Sequence, residues 1–388
     1  MMKLSNRIHS IDRTPIYFGN DALVKIDPFI RTLQTFHHAM IRGGQDAAGP
    51  PVGPAIFILV DPDTRKHCLP LLLQHSDVMA GAKVMEIEGG EQSKSIAKAE
   101  KLWNELLLAG AGRNSLLVNL GGGVVSDLGG FVAAGYQRGI SYLNIPTTLI
   151  GQADAAIGGK TGVNLGHIKN QVGFFYAPKA VFVFPGFLNT LPEEQLRSGL
   201  AEVIKSALIS DAALWRKILK HPVGALLKMP VDRGLWVNLI ASTIKFKNKV
   251  VVQDYRERKL RKALNFGHTI GHALEGYSQT GHGEPLLHGD AVAAGMVCAA
   301  WLSHRKTGLS SEDLNAIRTY IGEGFPPFPV NRLSSPDIME IMMHDKKNRN
   351  GQFQFTLISK PGHPLINIYC NHEEIFEALT TLSGWGLR

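Results

Sequence analysis

Residues 115–120, Ser-Leu-Leu-Val-Asn-Leu, run without a break into Gly121-Gly122-Gly123 and then into a helix-like segment that starts at Val124. A short apolar strand passing straight through glycines into a helix fits one step of an alternating α/β chain. The surrounding segments repeat that step. Residues 55–60 are an apolar run ending at Asp61-Pro62, which reads as a buried strand. Residues 93–108 carry helical periodicity through Ile96, Ala99, Trp103, Leu106 and Leu107, until Gly110 and Gly112 stop it. Residues 141–145 and 180–184 read as further strands. Strands alternating with helices imply a parallel sheet with crossover helices.

The pattern changes near residue 190. Residues 193–210, 236–252, 267–276, 290–307 and 311–322 all read as helices, and in this half only 352–358 reads as a strand. The expected organisation is an α/β, Rossmann-like domain over residues 1–190 and a mainly α-helical domain over 191–388. The segment from Arg42 to Pro54 is rich in Gly, Ala and Pro and reads as a mobile surface loop.

Bulk properties narrow the function. The 388 residues suffice for a large core in two domains. A net charge of +8 admits nucleic-acid binding, but Lys and Arg are dispersed, which fits an anion-binding cleft better than a polynucleotide track. Cys68, Cys298 and Cys370 are far apart and form no CxxC, so neither a disulfide framework nor a cysteine zinc site is expected, and a reducing cytoplasm fits. The N-terminal residues lack the apolar core of a signal peptide, and no apolar run is long enough to span a membrane.

Three clusters carry chemistry. The Gly121-Gly122-Gly123 turn lets backbone approach a phosphate at a helix N-terminus. It is not the GxGxxG fingerprint, and a plain tight turn is an equally good account of it alone. Next, Pro146-Thr147-Thr148 sits at a strand end, followed by Asp154 to Asn164, with Lys160, and then Lys169-Asn170. Strand ends of open parallel sheets are where ligands bind, although a lone Lys in a Gly-rich loop is usually just solvated. Finally, His268 and His272 lie four apart on one helical face, His288 begins another helix, and Glu202 stands in an otherwise apolar helix where a carboxylate needs a partner. Alone, the histidine pair fits satisfied imidazoles as well as ligands. Three such groups with one open position would make a catalytic divalent-metal site, most naturally zinc. Lys205, Lys247, Arg261, Asn265 and the run Asp345-Lys346-Lys347-Asn348 add cations and amides suited to a phosphate- and carboxylate-bearing substrate.

Together these residues resemble the 3-dehydroquinate synthase family of sugar-phosphate cyclases. The blocks run in family order: Gly90-Glu91-Gln92-Ser93-Lys94, Gly121 to Asp127 with Gly130-Phe131, Arg138-Gly139, Pro146-Thr147-Thr148, Asp154 to Asn164, Lys169-Asn170, Thr190-Leu191-Pro192, Ala201 to Lys205, Asp254, Arg261, Leu264 to Glu275, His288-Gly289 and Asp345-Lys346-Lys347. The resemblance implies a dehydroquinate synthase-like fold, with the active site in a cleft between the two domains, and a cytoplasmic homodimer. It implies Glu202, His268 and His288 as ligands of Zn2+ or Co2+, with His272 an active-site residue rather than a ligand. It implies an NAD site from Asp61, Glu91, Lys94, Gly122, Gly123, Asp127, Thr147 and Thr148, with Asp154, Lys160, Lys169 and Thr190 close by. Substrate and catalytic contacts would be Arg138, Lys160, Asn170, Lys205, Lys247, Arg261, Asn265, His272 and Lys346.

The reaction so implied turns 3-deoxy-D-arabino-heptulosonate 7-phosphate into 3-dehydroquinate and phosphate: transient oxidation by NAD, phosphate elimination, re-reduction, ring opening and intramolecular aldol closure. Some positions depart from the family pattern. Glu194 and Gln195 stand where an Arg-Glu pair is usual, Ser206-Ala207 where Tyr-Gly is common, Lys259 where Gly is frequent, and Ser126 in place of a Gly. Two alternatives keep much of the same kit: a valiolone- or inosose-type cyclase acting on another sugar phosphate, and a metal-dependent polyol dehydrogenase that would release NADH.

Overall fold

The computed structural model describes residues 7–9, 14–41, 55–166, 168–279, 285–328, 335–343 and 353–384. The Arg42 to Pro54 segment and Lys346 lie outside them. The chain divides into two compact units, Met1–Thr190 and Leu191–Arg388.

The first unit contains β1 (Arg7–His9), β2 (Pro15–Phe18), α1 (Ile26–Ile41), β3 (Ile56–Val60), α2 (Pro62–His67), α3 (Leu69–His75), β4 (Lys83–Glu86), α4 (Ile96–Leu108), α5-preceding β5 (Leu116–Gly121), α5 itself (Gly123–Gly135), β6 (Ser141–Pro146), β7 (Lys160–Leu165), β8 (Ile168–Phe175) and β9 (Ala180–Val183). Seven strands form one sheet in the order β1-β2-β9-β6-β5-β3-β4. All neighbours pair in parallel except β1 with β2, which closes one edge in antiparallel.

Side chains alternate across this sheet with period two. Phe57, Leu59 and Leu117 enter a core with residues of α4 and α5, whereas Ile58, Val60, Leu116, Val118 and Leu120 enter the opposite core with residues of α1 and α3. Burial on both faces explains why β3 and β5 read as continuous apolar runs. Because the central strands are parallel, their carboxyl ends share one edge. Asp61, the Glu91–Lys94 segment, Gly122 and Thr147 follow the ends of β3, β4, β5 and β6.

The structure corrects several expectations here. β7 and β8 pair as an antiparallel ribbon, so Lys160, expected in a Gly-rich loop, opens a strand. Strands β1, β2 and β4, three or four residues long, were not foreseen. The helix expected from residue 93 begins at Ile96, because Ser95 takes an extended conformation and its side chain accepts from Lys98 N as the cap.

The second unit contains α6 (Glu193–Ser210), α7 (Ala212–Leu219), α8 (Val223–Leu227), α9 (Arg233–Gln253), α10 (His268–Ser278), α11 (His288–Thr307), α12 (Ser311–Gly324), α13 (Ser335–Met343), β10 (Phe353–Ile358), β11 (Pro364–Cys370) and α14 (His372–Thr380). Helices α6 and α11 are buried along most of their length, so they are the central helices of this unit. The expectation of one strand in this half is corrected: β11 pairs antiparallel with β10. Its residues alternate between exposed and half-buried, which left no apolar run to find.

Candidate active site

The second unit holds a cluster built on three helices. Glu202 and Lys205 lie three apart on α6, both 1% exposed, and Lys205 Nζ forms an ion pair with Glu202 Oε2. His268 opens α10 and His288 opens α11. These two helices approach closely because glycines line their contact. A Cβ on Gly295 would lie 2.0 Å from the Gly267 carbonyl oxygen, and Gly267 itself has φ +77°, a left-handed conformation that favours glycine. The GHTIGH spacing thus supplies both the imidazoles and the small residues that let their helices meet.

Hydrogen bonding fixes the orientation of the rings. His268 Nδ1 is 3.2 Å from the Phe266 carbonyl oxygen, which only accepts, so Nδ1 donates and Nε2 of the neutral ring carries a lone pair. Burial, then Lys205, outweighs Glu202 and pushes the His268 pKa down, favouring that neutral ring. Its Nε2 faces Glu202 Oε1 at 3.4 Å, and His288 Nε2 faces the same oxygen at 3.3 Å. His288 Nδ1 lies 3.3 Å from Glu275 Oε2. Burial opposes protonation of His288, but the Glu202 and Glu275 carboxylates hold its proton and raise its pKa to about 10. Burial raises the Glu202 pKa, yet Lys205 and His268 bring it well below the usual carboxylate range.

This donor set suits a divalent cation. A tetrahedral ion about 2.0–2.1 Å from its N and O ligands separates neighbouring donor atoms by roughly 3.3–3.4 Å. The Glu202 oxygen and the two imidazole nitrogens stand at 3.3 and 3.4 Å, long for ordinary hydrogen bonds. The Phe266 carbonyl and Glu275 carboxylate act on the far nitrogens as the outer partners that metal-binding histidines use. His272 completes a group of three imidazoles whose ring nitrogens lie within 4.8 Å of one another, and it is the exposed member.

The other expected substrate residues of this unit are distributed around the same helices. Lys247 is buried on α9 at 6% exposure. Arg261 is buried at 2% exposure, and its Nη1 donates to the Tyr255 carbonyl at 2.7 Å. Asp254 accepts from the backbone N–H groups of Arg258, Lys259 and Arg261, which orders the turn carrying Arg261. Asn265 donates to Glu257 Oε1 at 2.8 Å.

In the first unit a second constellation forms. Lys94, 4% exposed, places Nζ 2.8 Å from Asp127 Oδ2, 2.6 Å from Asn170 Oδ1 and 3.5 Å from Glu91 Oε1. Burial lowers the Lys94 pKa, but Asp127 and Glu91 outweigh it, and the net shift is upward. Asn164 donates to Glu91 Oε1 at 3.0 Å and accepts from Asn170 N at 2.9 Å. Four expected site residues, Glu91, Lys94, Asp127 and Asn170, are therefore one network.

Beside it, Thr147 N donates to the Gly121 carbonyl, and Thr148 packs so closely on Gly122 that a Cβ there would lie 2.8 Å from Thr148 Cγ2. Gly123 begins α5. Asp61 caps α2 by accepting from Thr64 N, and Thr190 donates to the Phe187 carbonyl. Asp154 lies in a single π-turn (Gly151–Ala155), Lys160 opens β7, and Lys169 is in β8. Arg138 is exposed with φ 67°, and Asn170 has φ 51°. Left-handed backbone at non-glycine residues costs free energy and concentrates at functional sites.

Sequence reasoning missed Glu275, Asn164, Arg197 and Asp290 as site-supporting residues. A signal existed for Glu275: it stands seven residues after His268, two helical turns along the same face. Asn164 closes the matched block from Asp154 but was not singled out, and Arg197 and Asp290 meet across a long sequence separation that left no signal.

An α/β unit with ligand-type residues at strand ends and a helical unit with a carboxylate–imidazole cluster, in one chain, define a class of two-part enzymes. Among solved structures, the chain is similar to 2-deoxy-scyllo-inosose synthase complexed with carbaglucose-6-phosphate, NAD+ and Co2+ (TM-score 0.80, 24% identity, 97% of this chain and 99% of that one), so it shares that fold. It is also similar to the 2-epi-5-epi-valiolone synthase of Streptomyces hygroscopicus with NAD+ and Zn2+ bound (TM-score 0.74, 25% identity, 87% of this chain and 99% of that one). In sequence it is 40% identical over 324 residues to the 3-dehydroquinate synthase of Parabacteroides distasonis, covering 84% of this chain and 90% of the relative. The family models for the N-terminal and C-terminal parts of 3-dehydroquinate synthase match residues 84–198 and 199–348. The chain belongs to the 3-dehydroquinate synthase family, and its activity is that of a cyclase of this kind. Among the described residues, no helix is long and apolar enough to cross a membrane.

Proposed function

We propose that this chain is a phosphate-eliminating carbon–oxygen lyase that converts 3-deoxy-D-arabino-heptulosonate 7-phosphate to 3-dehydroquinate and phosphate, using NAD and a divalent cation, Zn2+ or Co2+. The observation that carries this reading is the convergence of Glu202, His268 and His288 at 3.3 and 3.4 Å beside the buried Lys205. Family membership and the cofactors named for the two similar cyclases support it. A cytoplasmic homodimer is part of the same reading, resting on the family alone, and sedimentation tests the dimer.

Glu202, His268 and His288 would hold the cation, which supplies Lewis-acid polarisation of substrate oxygens when bound. The residues Asp61, Glu91, Lys94, Gly122, Gly123, Asp127, Thr147 and Thr148 would hold NAD, with Asp154, Lys160, Lys169 and Thr190 near it; bound NAD would supply a reversible hydride acceptor. Lys205, Lys247 and Arg261 present cationic groups to the phosphate and carboxylate of the substrate, as do Arg138, Lys160 and Lys346. Asn170 and Asn265 offer amides to its hydroxyl groups. His272, the exposed imidazole of the cluster, moves protons at its ring nitrogens.

The test is phosphate release by metal-loaded protein given that substrate and catalytic NAD, with NADH absorbance followed in parallel. Stoichiometric phosphate without lasting NADH is the expected result. A folded, NAD-binding protein that releases no phosphate refutes the substrate assignment, and accumulating NADH refutes the closed redox cycle.

A further inference from the structure

We propose that Arg197, Ser198 and Asp290 are positioning residues that set how tightly the Glu202–His288 pair holds a divalent cation. The inference rests on the reading of Glu202, His268 and His288 as the metal donors. Glu202 and His288 are 86 residues apart in sequence, on different helices, so their separation of 3.3 Å depends on how α6 is locked against α11. Three contacts make that lock, all within about one helical turn of a donor. Arg197 Nε and Nη2 engage Asp290 Oδ1 and Oδ2 at 3.0 and 3.1 Å, a two-point fork that fixes direction as well as distance. Ser198 Oγ accepts from Gly289 N at 2.9 Å. The Gly289 Cα packs onto the α6 backbone so tightly that a Cβ would lie 2.1 Å from the Ser198 carbonyl oxygen.

The register of these residues gives the lock its reach. Ser198 and Glu202 are four apart, hence on one face of α6. His288, Gly289 and Asp290 are the first three residues of α11. The residue before them, Leu287, provides no side-chain cap, so the Ser198 hydroxyl supplies from α6 the acceptor that the α11 N-terminus lacks. The first turn of α11, which carries His288, is thereby capped and aimed by the helix that carries Glu202. Ser198 is 2% exposed, and the Arg197 and Asp290 side chains are 22% and 8% exposed, so water competes poorly for these contacts.

The test measures Zn2+ affinity by competition with a chromophoric chelator in Arg197→Met, Ser198→Ala, Asp290→Asn and the double variant Arg197→Asp/Asp290→Arg, with His268→Ala as reference. Co2+ ligand-field absorption reports the donor geometry, and thermal unfolding of the metal-free proteins reports the fold. Loss of partners outside the ligand shell weakens metal binding about 10-fold or more, and that is the expected rise in Kd for Arg197→Met and Asp290→Asn. The double variant is expected to regain part of the loss. Parent-like Kd and parent-like Co2+ spectra in Arg197→Met and Ser198→Ala overturn the proposal. So does a Kd that worsens only in step with metal-free unfolding. If His268→Ala binds Zn2+ as tightly as the parent, the donor assignment itself fails, independently of the lock.

Discussion

Lys94→Met probes the network of the first unit with little change in side-chain volume. The ammonium is 4% exposed and contacts Asp127 at 2.8 Å, Asn170 at 2.6 Å and Glu91 at 3.5 Å. Breaking a fully buried ion pair costs about 3–5 kcal/mol, and a single hydrogen bond to a charged group about 1.5–3 kcal/mol. The stranded carboxylates are not fully buried here: the Asp127 and Glu91 side chains are 21% and 35% exposed, so water rehydrates them in part. Methionine also avoids the desolvation cost that the ammonium bears. The discounted loss is about 2 kcal/mol, which for a unit of this size lowers the melting temperature by roughly 4–8 °C. Calorimetry at neutral pH measures it.

The pH dependence has a definite sign. The folded-state pKa of Lys94 is raised, so its contribution is fully present below the unfolded value of about 10.4 and is lost as pH rises through the higher folded value. On the alkaline side the gap between parent and variant is therefore expected to persist from neutrality until strong alkali. A variant that melts within a degree of the parent at neutral pH, or a gap that closes between neutral pH and about pH 10, refutes the reasoning.

Three further outcomes follow from named contacts. Asn170→Ala is expected to be about 1 kcal/mol less stable than Asn170→Gly, since φ 51° suits glycine, and denaturant titration of both variants checks the order. Asn164→Asp exchanges the amide that donates to Glu91 for a like charge; NAD and substrate affinities are expected to fall about 10-fold, on the order of 1.4 kcal/mol, and unchanged isothermal titration curves would count against the network. Zn2+ at about 100 times its Kd is expected to add roughly 2.7 kcal/mol to the stability of the parent, an increment that His268→Ala loses; an equal thermal shift in both proteins would remove the cation from this cluster.

Local sequence determined the elements whose pattern is complete within one segment. β3 and β5 are buried on both faces, so every residue had to be apolar or neutral, and a run such as Ile56–Val60 is legible for that reason. Helix α6 is found at the residues its sequence suggests, Glu193–Ser210. The His268/His272 spacing announces one face of one helix. Tertiary structure alone decided what depends on other segments. β11 exposes alternate residues and exists because β10 supplies its hydrogen bonds. The ribbon of β7 and β8 looks like a loop until its strands pair. Glu202 meets His288 through backbone contact at Gly289, and Lys94 meets Asn170 across 76 residues. Periodicity is a property of neighbours along the chain, whereas a distance of 3.3 Å between distant residues arises only when packing has fixed both helices.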